Sequence, residues 1–131
     1  FTVSMDRITA AINEFKKVNA SVLFLGYCWA NCAKMRREGA QVSENLHVVP
    51  KGVQLLCNHA LVMKKSFIKE YMTRNEVTYW RHRNDHTLSD YLRDHGIKKV
   101  VTPKAFIVQN REEMGSNNEN YDNGGKACVL N

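Results

Sequence analysis

Polar side chains interrupt two apolar segments of this sequence, and their types suit ligand binding. Asn58 and His59 lie within the apolar run 53–63, and Gln109 follows Phe106–Val108. Amides and imidazoles donate and accept hydrogen bonds, and an imidazole can also accept a proton. A histidine in an apolar strand is more often bonded to a backbone group in the core, and a glutamine at a strand end is often only solvated. Both interpretations stay open.

A second group of candidates combines cations with one carboxylate. Arg81, His82 and Arg83 form a short basic group just before Asp85, which opens a predicted helix. Arginine can neutralise a diphosphate, and a carboxylate can take a proton from a hydroxyl. The alternatives are a solvated basic loop and an acidic residue that stabilises the helix dipole by about 0.3–1 kcal/mol.

The segments that would position these residues begin with a helix followed by a strand. Ser4 can cap a helix in which Ile8, Ile12 and Phe15 form one apolar face. Ser21–Gly26 is apolar without alternation, which is typical of a strand covered on both faces. A helix that leads into such a strand is half of an α/β repeat.

The remaining segments predict a small mixed sheet with helices packed on it. They are a loop at 28–41, a strand at 46–49, a strand at 53–63 interrupted near Asn58, a helix at 66–72, a helix capped by Thr87 and ended by Gly96, and strands at 97–101 and 105–108. The strands are too few for a complete nucleotide-binding crossover domain. We therefore expect an α/β unit over 1–109, followed by a flexible polar tail over 110–131.

The amino-acid composition limits the classes of function that this chain can have. The chain has 131 residues and a net charge of +6, and no apolar run approaches the roughly 20 residues of a membrane-spanning helix. A basic surface attracts phosphate-bearing partners, although the aromatic residues do not alternate with the basic groups as they would in a nucleic-acid interface. The four scattered cysteines are interpreted as buried free thiols, which slightly favours the cytoplasm over the secretory pathway.

Four segments, in order, resemble glycosyltransferase family 25, the lipooligosaccharide and procollagen galactosyltransferase group. They are Phe15–Tyr27; Cys57–Met63 with Lys65–Phe67; Asp85 with Leu88, Leu92 and Val100–Val101; and Pro103–Gln109 with Gly115–Ser116. The resemblance covers about four-fifths of the chain. It implies a GT-A-like fold and transfer of a hexosyl unit from a nucleotide-sugar donor to a glycan or protein acceptor.

The resemblance also implies roles for particular residues. Asp85 would be the catalytic base, and Asn58, His59, Gln109 and Ser116 would bind sugar hydroxyls. Arg81 and Arg83 would help to neutralise the donor diphosphate. Trp29 and Trp80 are candidates for stacking on a sugar ring, although tryptophan more often packs in a core.

The sequence departs from the family's pattern at the metal-binding motif. Its acidic Glu-Asp-Asp or Asp-x-Asp motif, which holds Mn²⁺ or Mg²⁺, would stand just before the first helix, and no Asp-x-Asp occurs in this sequence. The resemblance therefore implies the second, acceptor-side half of a catalytic domain. It predicts a sheet edge covered by the other half or by a second copy.

Two functions of other classes remain as alternatives. One is a basic module that binds nucleic acid or another polyanion through its lysines and arginines. The other is a non-catalytic remnant that keeps the fold and acts through protein contacts.

Overall fold

A computed structural model describes residues 2–28, 30–57, 59–74, 84–108 and 128–130, with the backbone alone at 84–85. The helices are α1 (Met5–Lys17), α2 (Cys32–Glu38), α3 (Lys65–Arg74) and α4 (Asn84–Asp94). The strands are β1 (Val22–Gly26), β2 (Gln41–Ser43), β3 (Leu46–Val48), β4 (Ala60–Met63) and β5 (Lys99–Val101).

The five strands form one mixed sheet in the order β2-β3-β5-β1-β4. β1 and β5 are parallel, with Val22 opposite Lys99, and the other neighbouring pairs are antiparallel. The predicted α/β class with helices packed on a mixed sheet is confirmed. β2 and β4 are the outer strands, and among the described residues β4 pairs only with β1.

The sequence of β1 explains its position inside the molecule. All five of its residues are buried, as its unbroken apolar sequence predicts. Val22 and Phe24 belong to one core cluster, whereas Leu23 and Leu25 belong to a second. Because successive side chains of a strand point to opposite faces, each face of β1 is covered by its own apolar layer.

α1 covers one face of the sheet. Its side chains Ile8, Ala11 and Phe15 are buried in the cluster that contains Leu23 and Leu25. Ser4 stands at the predicted N-cap position, with extended backbone but no side-chain capping bond. The predicted helix is confirmed, and burial of its apolar face accounts for its stability better than its cap does.

α3 and α4 contribute to the cluster that contains Val22 and Phe24. Phe67 and Tyr71 of α3 contact Tyr91 of α4, with ring centroids 6.0 and 5.0 Å from the Tyr91 centroid. Edge-to-face geometry of this kind adds about 0.5–1.5 kcal/mol per pair beyond the buried area.

Four of the predicted elements are wrong in whole or in part. Within the described part of the strand expected at 53–63, only Ala60–Met63 forms a strand. The loop expected at 28–41 contains α2, because the Asn31 side chain caps this helix by accepting from the Lys34 amide at 3.0 Å. α4 begins at Asn84, so Thr87 is a buried helical residue and not a cap. No strand forms within the described part of 105–108, where the amides of Phe106 and Ile107 both donate to the Leu25 carbonyl.

The interpretation of the cysteines as free thiols is also wrong. Cys28 is bonded to Cys57 and Cys32 to Cys128, with Cα–Cα distances of 5.4 and 5.3 Å. The pairs are 29 and 96 residues apart in sequence, so their spacing along the chain gave no sign of their proximity in the fold. Disulfides persist in oxidising compartments, so the thiol argument for the cytoplasm no longer holds.

The tail expected at 110–131 lies largely outside the described residues. Its described end, Cys128–Leu130, packs against the domain: Cys128 is buried, and the Leu130 amide donates to the Pro103 carbonyl at 2.8 Å. None of the described helices is long and apolar enough to cross a lipid bilayer.

Candidate functional site

Of the site residues that the sequence predicts, His59 is the one that the structure describes with its side chain, and it lies at the end of β1. β1 and β5 are parallel, so their carboxyl ends lie at one edge of the sheet, here called the carboxyl edge. β4 runs antiparallel to β1, with Ala60 opposite Gly26, so the chain enters β4 at the same edge. Open α/β sheets bind ligands at this end of their parallel strands.

His59 joins two of the segments that carry predicted site residues. Its Nε2 lies 3.1 Å from the carbonyl oxygen of Ile107, two residues before Gln109. A carbonyl oxygen only accepts, so Nε2 carries the hydrogen and Nδ1 holds a lone pair. Nδ1 is buried and has no hydrogen-bond partner among the described residues.

A tight turn and a disulfide position the histidine. Cys57 has a φ of 61°, in the left-handed region, and the His59 amide donates to the Cys57 carbonyl at 2.7 Å. The bridge to Cys28 attaches this turn to the segment that follows β1. A non-glycine residue in the left-handed region is uncommon and costs of the order of 1 kcal/mol, which the surrounding contacts must offset.

The start of the chain reaches the same edge. The Thr2 amide donates to the Phe106 carbonyl at 2.8 Å, and its hydroxyl donates to the Ala105 carbonyl at 2.6 Å. The segment that enters α1 therefore lies beside Ala105–Ile107, next to the His59 contact.

Asp85 is the second residue of α4, so its predicted place at the start of a helix is confirmed for the backbone. α4 turns through Gly96, which has a φ of 60°, and continues into β5. Asn58, Gln109, Ser116, Arg81 and Arg83 lie outside the described residues, as do Trp29 and Trp80.

Sequence reasoning missed Gly26 as a site residue. A Cβ atom at this position would lie 2.4 Å from the Ile107 carbonyl oxygen and 2.6 Å from His59 Nε2. Only glycine lets the imidazole and the Ile107 carbonyl meet over the end of β1. A glycine that directly ends an apolar strand was the available signal, because such glycines often mark a close approach of another chain segment.

Replacing Gly26 by alanine should separate His59 from Ile107 and lower the free energy of unfolding by about 1–3 kcal/mol, as overpacking does. Imidazole ¹⁵N shifts would report the lost contact, and urea denaturation the stability. Gly96→Ala is the matched control, because a Cβ there meets no atom within 4 Å and costs only left-handed backbone strain. His59 shifts that are the same in Gly26→Ala and the parent chain would refute this account of the glycine.

The described residues do not provide a metal site. No group of three or more His, Cys, Asp or Glu side chains within them is arranged to hold a metal ion. The family resemblance places the ligands of the divalent metal upstream of α1, so no catalytic step is assigned to the metal.

The three cations of the basic group at 34–37 make local contacts, and one carboxylate offsets part of their charge. Lys34 and Arg37 contact Glu38 at 3.7 and 2.8 Å, and Arg36 donates to the Val129 carbonyl at 3.3 Å. Cations engaged in this way are less available to bind the phosphates of a nucleic acid.

Comparison of the chain with protein-family models, with curated proteins and with solved structures gave no match.

Proposed function

We propose that this chain forms the acceptor-side part of a GT-A-like glycosyltransferase, which moves a hexosyl unit from a nucleotide sugar to a glycan or protein acceptor. The observation that carries the proposal is the contact of His59 with Ile107. It joins two of the segments that resemble family 25 at the edge of the sheet where ligands bind in open α/β folds.

The proposed reaction is a direct displacement at the anomeric carbon. The acceptor hydroxyl forms the new C–O bond while the bond to the diphosphate breaks, and the nucleoside diphosphate leaves with the electron pair. Asp85 accepts the hydroxyl proton as the bond forms, which is general-base catalysis. Arg81 and Arg83 offset the charge that develops on the leaving diphosphate.

The remaining predicted residues bind sugar hydroxyls in this proposal. His59 binds one hydroxyl and the amides of Asn58 and Gln109 bind others, with Ser116 as a further contact. The start of α1 lies at the same edge. An acidic motif directly upstream of α1 would therefore be close to these groups. The two disulfides favour the secretory pathway as the place of action.

The test is transfer or hydrolysis of nucleoside-diphosphate hexoses by the full-length protein of the parent gene. Asp85→Asn should lower kcat by about 100-fold or more, because it removes the proton acceptor while keeping the shape of the side chain. Asp94→Asn is the matched control, since Asp94 lies at the far end of the same helix and contacts Arg93. It should retain activity.

The outcomes separate the proposal from its alternatives. Equal activity of Asp85→Asn and Asp94→Asn would exclude Asp85 as the base. Steeply salt-dependent binding of nucleic acid, with no response to any nucleotide sugar, would favour the polyanion-binding module.

A further inference from the structure

A cleft of about 610 Å³ opens at the opposite edge of the sheet, where β1 and β5 begin. Small-molecule sites typically have volumes of about 300–1,000 Å³. Its apolar walls include Val18, Val48 and Ile97, and Lys51, Lys98 and Lys99 also line it. This surface is here called the amino-edge cleft.

Lys99 is the unusual residue of this cleft. It is only 6% exposed, and its ammonium group donates to the Val53 carbonyl at 2.6 Å. No carboxylate of the described residues forms an ion pair with it. An ammonium group has three donors, and burying it without a counter-charge costs several kcal/mol. Burial, and then the nearby Arg93 charge, lower the pKa of Lys99 to about 8.

The charge around Lys99 is not balanced within the cleft. None of the described residues that line it is acidic. Arg93, which also lines it, contacts Asp90 at 3.3 Å and Asp94 at 2.9 Å on its own helix. These carboxylates offset Arg93 but leave Lys51, Lys98 and Lys99 without an ion pair in the described structure.

We propose that the amino-edge cleft binds a small amphipathic anion, in which a phosphate, sulfate or carboxylate group is attached to an apolar body. The anionic group would contact Lys99 and the two exposed lysines at the rim, and the apolar body would pack on the valine and isoleucine walls. The bound anion supplies the counter-charge that Lys99 lacks. This site is distinct from the carboxyl edge, and the inference does not rest on the proposed transferase function.

The experiment titrates the ¹⁵N-labelled chain with hexyl sulfate below its micelle concentration. Hexyl sulfate should produce saturable amide shifts at residues 48–52 and 97–100. Hexanol has the same apolar chain as hexyl sulfate but no charge. Inorganic phosphate is charged but has no apolar chain. Hexanol should bind at least about tenfold more weakly because it cannot make the charge-assisted hydrogen bonds, and phosphate should do so because it lacks the apolar contacts.

Variants test whether Lys99 binds the anionic group of the ligand. Lys99→Met should weaken hexyl sulfate binding by at least about tenfold. Lys69→Met changes the net charge equally on an exposed face of α3 and should leave binding unchanged. If Lys99→Met does not fold, Lys51→Gln combined with Lys98→Gln should still weaken binding about two- to fivefold, as loss of exposed ion pairs does.

Three results would overturn the proposal. They are equal affinity of Lys99→Met and the parent chain, equal affinity for hexanol and hexyl sulfate, and amide shifts outside the cleft. Phosphate binding as tightly as hexyl sulfate would show a simple anion site and would contradict a role for the apolar walls.

Discussion

Replacing Cys32 and Cys128 together by alanine is expected to lower the free energy of unfolding by about 4–5 kcal/mol. The bridge joins residues 96 positions apart, and closing so long a loop removes much of the entropy of the unfolded chain. Single domains are stable by only about 5–15 kcal/mol, so this loss is a large part of the total.

The contacts around Cys128 add to this effect. Cys128 is 2% exposed, and its amide donates to the buried hydroxyl of Tyr27 at 3.1 Å. Leu130 and Val129 make the two backbone contacts described above, to Pro103 and Arg36. Without the bridge, the described part of the segment keeps these few hydrogen bonds and the packing of Leu130 and residue 128 against the core.

Urea denaturation of the parent chain and the double variant measures the difference. The matched comparison is Cys28→Ala with Cys57→Ala, whose loop of 29 residues predicts a smaller loss of about 3–4 kcal/mol from loop closure. A reducing agent should destabilise the parent chain and leave a variant without cysteines unchanged. A Cys32/Cys128 variant as stable as the parent would show that this bridge does not constrain the fold.

Lys99→Met is expected to raise the free energy of unfolding at pH 7 by about 1–4 kcal/mol, the range by which apolar residues of similar volume can stabilise a protein when they replace buried ion pairs. The ammonium group is buried with one hydrogen bond, to the Val53 carbonyl, which the variant loses. Methionine has a similar length and fills the same space. The cost of removing the charge from water exceeds the gain from that single bond.

The pH dependence of the free energy of unfolding gives an independent measure of the cost of burying the Lys99 charge. The pKa of Lys99 is lowered to about 8, from 10.5 in the unfolded chain. Below pH 8 both states are protonated and the full cost of burial is present. Between pH 8 and 10.5 the unfolded chain binds the proton more tightly, so stability rises with pH, by about 3 kcal/mol in total. This rise should be absent in Lys99→Met.

The comparison is best made between pH 8 and 10. Tyr27 and Tyr91 have pKa values raised, chiefly by burial, so their ionisation opposes folding at higher pH. The measured quantity is the difference in unfolding free energy between Lys99→Met and Lys69→Met, which carry the same net charge. A difference that does not change over this range would contradict the burial of a charged Lys99.

The parts of the fold that sequence predicted best have strong local patterns. α1 follows from apolar residues at helical spacing, and β1 from an unbroken apolar run; both are present. Gly96 was expected to end a helix in the left-handed conformation, and its φ is 60°. In each case the information lies within a few neighbouring residues.

The parts that were missed depend on contacts between distant residues. Both disulfides join segments that only the folded sheet brings together. Lys99 looks like a surface lysine in sequence, and it is buried because β5 lies between β3 and β1. In the candidate site, nothing in the sequence indicated that His59 contacts Ile107, and Gly26 and Thr2 also emerged only from the structure.

The pairing of β1 with β5 also affects how the chain is made. β1 leaves the ribosome roughly eighty residues before the strand that pairs with it in parallel. Until then its five apolar residues lack that neighbour, and pairings between such distant segments form slowly. The nascent chain therefore exposes an aggregation-prone strand while the residues between β1 and β5 are synthesised. Earlier formation of the Cys28–Cys57 bridge would hold the β4 segment beside β1 and shield one of its sides.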